Sequence, residues 1–544
     1  MGESMLFLVL LAGCVIYGID RKRRERKGAL RRAALWMEQS PAVPADMDAV
    51  KDWWQAVAAE KDGGVDDITW QDLDMDAIFT AMNHTASGVG EEQLHAILRD
   101  TQTPEDTLSR RRRWVEALRK DGPRRTQLIY ALLRLGKGHS YDGVALLLGT
   151  AAVSIRGKRW MYGVLAALPW VLALGGFLWA PCWLAAAAAL GGNLFIHFFT
   201  DKALMPHIAA VRHLARVVWT AQRLERDCPP GMEDAAERFH ALGRALRPVL
   251  RWSNAMARQS QSDLDFLGEY LRIFCHADTI RFLSLIRFYQ QHREILLEAY
   301  TLVGEVDACL ALACWTGRQA ALCQPLFHEA LSVQAKDVVH PLLEHPVPNS
   351  YDWDRCTLVT GSNASGKSTF TRAMALNCIL AQTIGWCTAG SFALPRCRVM
   401  TSMALRDNLM GGESYFVVEI RSLKRILDAL TDTLPTLCVI DEILRGTNTV
   451  ERIAASAALL RYVQGRNCLV MAATHDQELT HLLKNYAQVH FREELTEQGM
   501  HFSYRLMQGP ADTRNAIALL RQMGFPEQVL QEAEAAAEHS LSHE

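Results

Sequence analysis

The sequence predicts an α/β domain at the C-terminal end, preceded by an all-α core that an apolar hairpin interrupts. Three observations predict this. Short β-rich runs at Cys356–Thr360, Leu437–Asp441 and Cys468–Ala473 end in glycines, acids or a Thr-His pair, as strands do where an open sheet presents groups to ligands. Upstream of about residue 330 the apolar spacing is helical almost throughout, as in Leu73, Ile78, Phe79, Met82 and then Leu94, Ile97, Leu98. Within that helical part, Trp160 to Thr200 holds no Asp, Glu, Lys or Arg, about twice the ~20 residues a helix needs to cross a bilayer.

At 544 residues the chain exceeds one ordinary core, so two or more domains are expected. Its 49% apolar and 22% charged residues suit a folded protein and exclude a disordered chain. The net charge of −2 supplies no global attraction to nucleic acid, which depends on clustered Lys and Arg. The 13 Cys include no Cys-x-x-Cys pair, which removes the commonest zinc and dithiol spacings; the thiols read as reduced and mostly buried.

The first segment, 1–28, reads as an N-terminal anchor. Met5–Ile19 is apolar and the basic block Arg21-Lys22-Arg23-Arg24-Glu25-Arg26-Lys27 stops it. A cleaved signal is disfavoured because the charge comes after the apolar run, and the lipoprotein-like Leu11-Ala12-Gly13-Cys14 reads as coincidence. Residues 29–65 read as helical pieces joined by loops around Pro41 and Pro44. Residues 66–159 form the first part of the helical core, whose Arg110–Arg113 run reads as a solvated face. The hairpin, 160–200, should break near Trp179-Ala180-Pro181-Cys182-Trp183. Arg156, Lys158 and Arg159 before it and Lys202 after it put both ends in the cytoplasm. Residues 201–330 resume the helical core, and Pro346 and Pro348 mark a loop before the first clear strand-helix pattern, in 331–544.

Gly361-Ser362-Asn363-Ala364-Ser365-Gly366-Lys367-Ser368-Thr369 comes directly after the first strand. It has the form G-x-x-x-x-G-K-[ST], the phosphate loop of P-loop NTPases, whose glycines let backbone N–H groups surround an anion at a helix N-terminus. ATP with Mg2+ is the expected cargo. Lys367 would reach the β- and γ-phosphates, and Ser368 would supply a hydroxyl to Mg2+. Asp441 would hold Mg2+ through water, and Glu442 would orient or deprotonate the attacking water. His475, in Thr474-His475 at the end of the third strand, would sense the γ-phosphate.

In order and spacing, Thr360–Thr369, Asp441-Glu442-Ile443-Leu444-Arg445-Gly446-Thr447-Asn448-Thr449 and Ala473-Thr474-His475 resemble the ATPase of the DNA mismatch-repair MutS family. Gly411-Gly412-Glu413-Ser414-Tyr415-Phe416-Val417-Val418-Glu419 is similar to the family stretch whose Ser meets the partner subunit's ATP. Weaker likeness includes Glu305-Val306-Asp307, His340-Pro341-Leu342-Leu343 and Phe79–Gly90. The resemblance implies a lever-type helical core, an ABC/MutS-like ATPase domain and a C-terminal helical dimerisation segment. It implies a homodimer in which Ser414 completes the other chain's ATP site in trans and Asn363 contacts the nucleotide. Helical arms would then move as levers with ATP-driven closure.

The resemblance does not bring a mismatch-reading domain: Phe-x-Glu strings begin only at Phe327, Phe491 and Phe525, and the apolar hairpin lies where the family carries its DNA clamp. Mismatch reading is therefore not expected, while DNA stays open as a partner beside membrane lipid. The expected protein is a membrane-tethered ATPase facing the cytoplasm. Two alternatives stand beside it: an ABC-type transporter ATPase, suggested by Leu409-Met410-Gly411-Gly412-Glu413, and a membrane signalling or remodelling ATPase independent of nucleic acid.

Overall fold

The computed structural model describes residues 20–40, 46–58, 64–120, 122–138, 159–247, 273–362, 365–403, 415–496, 499–511 and 520–541, apart from Lys22 and Gln522, together with Tyr17 and Ala42. The apolar stretch Met5–Ile19, apart from Tyr17, lies outside the described residues, whereas the basic block Arg21–Lys27 is described except for Lys22. The chain divides into two compact units: Met1–Glu60, Thr80–Ala96 and Arg110–Arg318 form one, and Lys61–Phe79, Ile97–Ser109 and Gln319–Glu544 the other. Two segments far upstream of residue 330 thus fold with the C-terminal sheets.

The first unit is helical among its described residues. The helix Arg293–Thr316 is buried along most of its length, and two acids inside it anchor distant chain. Glu305 takes Arg111 at 2.9 Å and Arg110 at 3.0 Å. Half of the arginine run therefore turns inward, where the sequence read a solvated face. The cause is a carboxylate 194 residues away, since a buried charge needs a partner. Asp307 accepts from the amides of Ala86 at 2.9 Å and Ser87 at 2.8 Å and from the Ser87 hydroxyl at 2.5 Å. That arrangement caps the helix Gly88–Arg99. A Cβ on Gly90 would lie 2.2 Å from the Asp307 carboxylate, so only glycine permits the approach. Phe79–Gly90 and Glu305–Asp307, separate in sequence, thus meet in one clamp.

The apolar hairpin consists of the helices Arg159–Gly175 and Pro181–Asp227. The turn falls at residues 176–180, and Pro181 starts the second helix at its first positions, where its missing N–H costs nothing. A Cβ on Gly176 would meet the Trp183 ring at 2.6 Å. Leu178, Leu184 and Phe177 stand 93%, 78% and 78% exposed. Among the described residues one helix is long and apolar enough to cross a membrane by length and composition, Pro181–Phe198; Trp160–Gly175 is apolar but shorter. Asn193, buried on the second helix, donates to the carbonyls of Leu165 at 2.8 Å and Phe274 at 3.0 Å. This satisfies a polar group that apolar surroundings would otherwise penalise.

The second unit holds two sheets. Strands β1 (Leu326–Phe327), β2 (Val333–Val338), β3 (Asn349–Trp353) and β5 (Ser391–Leu394) form one, in the order β1-β5-β2-β3. The other, in the order β10-β9-β4-β8-β7-β6, contains β4 (Thr357–Thr360), β6 (Arg398–Ser402), β7 (Thr436–Asp441), β8 (Cys468–Ala473), β9 (Ala487–Thr496) and β10 (Gly499–Gln508). Strands β9, β4, β8, β7 and β6 pair in parallel and β10 returns antiparallel to β9. Every residue of β4 and β8 is buried, as expected of parallel strands covered on both faces. Leu358, Cys438, Ile440, Val470 and Ala472 join Leu460 and Ile426 from flanking helices in the core.

The helix Asp67–Asp72 closes the β6 edge of this sheet. Asp72 accepts from the Thr401 hydroxyl at 2.7 Å and the Met403 amide at 3.0 Å, Thr69 accepts from the Thr401 amide at 3.2 Å, and Asp66 pairs with Arg425. An upstream segment so spends its polar groups on a strand edge that would otherwise stand open.

Candidate functional site

Strand β8 lies between β4 and β7, and this order builds the site. Val359 pairs with Ala473 on one side of β8, and Asp441 pairs with Ala473 on the other. The chain leaving β8 must therefore emerge between the loop after β4 and the acids after β7. His475 does so: its Nδ1 is 3.2 Å from the Gly361 carbonyl and its Nε2 is 2.5 Å from Glu442 Oε1.

The loop after β4 runs through two glycines with positive φ, +139° at Gly361 and +110° at Gly366. A Cβ on Gly361 would lie 2.6 Å from the Phe491 carbonyl oxygen, so backbone conformation and close approach both demand glycine. The helix Lys367–Thr383 starts at once. Lys367 is buried and its Nζ donates to the carbonyls of Gly361 and Ser362, each at 2.7 Å. It stands 3.5 Å from His475 Nδ1. Burial and then the Lys367 ammonium hold the His475 imidazole below its usual range, opposed by the Gly361 carbonyl. The Ser365 hydroxyl donates to the Ser362 carbonyl at 2.9 Å, Ser368 begins the helix half-buried and Thr369 is exposed. Asn363 and Ala364 lie outside the described residues, as does Ser414 with all of 404–414.

After β7 the chain turns sharply. Glu442 and Leu444 take left-handed φ values of +57° and +59°, which cost non-glycine residues energy and cluster at functional sites. The loop is held from several sides. Glu442 forms an ion pair with Arg445. Glu419, in the helix Tyr415–Asp428, accepts from the amides of Leu444 and, at 3.4 Å, Arg445. A Cβ on Gly446 would lie 2.8 Å from Phe416 of the same helix. Asn448 then caps the helix Thr449–Val463 by accepting from the Glu451 amide at 3.0 Å. Arg452 in that helix grips Asp476 with two bonds, 3.0 and 2.6 Å, and fixes the residue after His475.

Asp441 Oδ1 is buried with no hydrogen-bond partner among the described residues. Buried carboxylate oxygens are normally satisfied, and a strand-end acid aimed beside a phosphate loop suits water on Mg2+. The glycine-only loop, the buried lysine and this orphaned oxygen together fit a magnesium nucleotide.

A cavity of about 350 Å³ opens beside Gly366 and Thr369. His340, Val347, Asn349, Phe491 and Tyr504 are among its walls. Tyr504 sits at a bulge in β10, φ +53°. The Asn349 side chain secures the bulge, donating to the Tyr504 carbonyl at 3.0 Å and accepting from the Leu506 amide at 2.8 Å. A Cβ on Gly366 would lie 3.2 Å from the Tyr504 ring.

Lys367, Asp441, Glu442 and His475, chosen from separate motifs, thus come together. Glu419, Asn349, Arg452 and Tyr504 were not assigned roles from sequence. Only Glu419 carried a signal, since it closes the Gly411–Glu419 string.

Residues 357–541 match the family model described as MutS domain V. The DNA mismatch repair protein MutS of Thermotoga maritima is 33% identical over 263 residues, 46% of this chain and 33% of that protein. The MutS proteins of Thermus thermophilus and Natronomonas pharaonis are 33% and 31% identical over 260 and 281 residues, covering 47% and 49% of this chain and 31% and 32% of their own lengths. The chain spans about a third of the length of these relatives. The strand-end constellation lies inside the matched region, and through that C-terminal part the chain is similar to the MutS family.

Proposed function

We propose that the protein binds and hydrolyses ATP with Mg2+, works as a homodimer with composite sites, and is tethered to a membrane by its 160–200 hairpin. The observation that carries the reading is His475 lodged between the phosphate loop and Glu442, 2.5 Å from the latter. The loop amides and the N-terminus of the 367–383 helix would bind the phosphates, and Lys367 would exchange its two carbonyl partners for phosphate oxygens. Magnesium, held by Ser368 and through water by Asp441, would neutralise charge on the β- and γ-phosphates. Glu442 would orient the attacking water and take its proton. His475 would report to Glu442 whether phosphate fills the loop. The cavity beside Gly366 supports a nucleoside subsite, with Tyr504 offering an aromatic face to the base. Ser414 would complete the partner's site in trans, as the family resemblance implies.

The membrane reading is supported by the exposed apolar surface from Trp160 to Phe198, larger than single scattered side chains explain. The hairpin's second helix continues without interruption to Asp227, which suits a rigid connection between an inserted tip and the helical core. DNA as a partner rests on the names of the relatives alone. The ATPase of purified protein, measured with duplex or branched DNA, with lipid vesicles and with neither, tests these readings. DNA stimulation that weakens with salt supports nucleic acid; vesicle stimulation supports a membrane role. A Glu442→Gln protein should accumulate bound ATP, and failure to take up nucleotide at all would sink the proposal.

A further inference from the structure

We propose that Cys323 and Cys387 form a reversible disulfide on oxidation, a modification site in the second unit. The two residues face each other across an isolated antiparallel bridge. Each amide donates to the other's carbonyl, Cys323 to Cys387 at 3.0 Å and Cys387 to Cys323 at 2.9 Å. Such a hydrogen-bonded pair sets the Cα atoms about 5.5 Å apart, inside the ~4.4–6.8 Å window that disulfides span. Both carry free thiols.

The two sulfurs are not equivalent. Cys323 is half-buried and Cys387 fully buried. The Cys387 side chain holds the Cys323 thiol below its ordinary range, and the Cys387 S–H donates to the Asn377 carbonyl at 3.6 Å. Burial pushes Cys387 well above it. The accessible sulfur is thus the readier nucleophile and the covered one resolves. With hydrogen peroxide as oxidant, Cys323 thiolate attacks one peroxide oxygen, the O–O bond breaks, and hydroxide leaves and is protonated to water. Cys323 becomes a sulfenic acid, oxidised by two electrons while the peroxide is reduced. The Cys387 sulfur then attacks the sulfenic sulfur, the S–O bond breaks, and the departing hydroxide takes the Cys387 proton as a second water. The neighbouring buried thiols Cys378 and Cys397 lack a backbone bridge of this kind to a partner cysteine among the described residues.

The bond would enclose residues 323–387, and so the entire phosphate loop and its helix. Cys323 also lies a few residues beyond Arg318, where the first unit ends. A staple there shortens the free chain between that point and the loop preceding β5. Cross-strand bonds at such sites are readily reduced when strained or exposed, which suits a reversible modification better than a permanent one.

The test treats purified full-length protein with equimolar hydrogen peroxide, blocks remaining thiols by alkylation and maps peptides by mass spectrometry. The expected result is one cross-linked peptide pair containing Cys323 and Cys387, lighter by two hydrogens, with loss of two titratable thiols and full recovery after dithiothreitol. Cys387→Ser should instead leave Cys323 as a sulfenic acid captured by dimedone, and Cys323→Ser should leave Cys387 unmodified. Recovery of both residues alkylated after oxidation, or of Cys323 as sulfinic acid with no cross-link in the unmutated protein, overturns the proposal. Wild-type labelling keeps the test decisive should either variant fold poorly: Cys323 must alkylate before Cys387 in native protein. Neither readout involves nucleotide.

Discussion

Asp307 in the helical unit and Asp441 at the tip of β7 are two aspartates inside the fold with opposite surroundings. Asp307 has three donors, the amides of Ala86 and Ser87 and the Ser87 hydroxyl. Burial pushes its carboxyl up to about 6, opposed by those donors and by Lys137, so it is ionised at neutral pH and fully used by the protein. Asp441 keeps Oδ1 buried and without a partner among the described residues. A satisfied buried carboxylate organises its own fold, whereas an unsatisfied one at a parallel-sheet tip is arranged for something brought from outside. The largest expected effect comes from the first. Asp307→Ala strands two buried amides, a loss of about 3 kcal/mol or more, and should lower the thermal midpoint of the helical unit strongly. An unchanged midpoint would break the comparison at its structural end.

Asp441→Asn is the matching test at the other end. The carboxamide is isosteric and Asp441 makes no side-chain bond that the fold requires, so the melting midpoint should hold. ATP hydrolysis at saturating Mg2+ should fall on the order of a hundredfold. A variant that hydrolyses normally, or one that unfolds, would show Asp441 to be another Asp307.

Glu419 lies between these extremes. It is buried, its carboxyl is pushed up by burial and drawn back by the amides of Leu444 and Arg445, and its second oxygen has no partner among the described residues. It uses one oxygen to fix a strained loop that carries Glu442. Glu419→Ala should lower kcat for ATP about tenfold with little change in KM, a geometric misplacement of Glu442. Glu419→Gln keeps an acceptor at the same place and should restore most of the rate. Equal losses in both variants would mean that charge, and not loop position, is what Glu419 supplies.

The same contrast shows which parts of the molecule could be read from sequence. The phosphate loop, the two acids and the Thr-His pair were legible because each chemistry needs particular residues at the end of a short strand, and strand ends are local. Their convergence comes from β8 lying between β4 and β7, a strand order that local pattern does not encode. The inward turn of Arg110 and Arg111 was illegible because it depends on Glu305, nearly two hundred residues on. The helix at 67–72 shows the same limit: its spacing reads as a helix, but only long-range contact with Thr401 and Met403 makes it the cover of a sheet edge. Glu419 was visible as a letter in a family-like string, without the strained turn that gives it a role.

The smallest expected effect belongs to His340, beside the cavity. Burial, with Arg372, lowers its pKa to about 4, against an ordinary value near ~6.5. Proton binding sets the sign: between those values the unfolded chain binds a proton that the folded one does not, so folded stability falls as pH drops from about 6.5 toward about 4. Asp74 opposes the shift without reversing it. The thermal midpoint of the second unit should therefore decline by a few degrees between neutral and mildly acid pH, and His340→Gln should flatten that decline. Asp307 contributes with the opposite sign, since a carboxyl raised to about 6 adds stability below that value, but it resides in the other unit. His475, lowered by burial in the same unit, adds to the decline with the same sign, so His340→Gln should reduce the acid slope of the second unit and leave that of the first unchanged, with the Trp353 region reporting one and Trp114 the other. A decline of undiminished size in His340→Gln would assign the acid sensitivity to another group and remove this residue from the comparison.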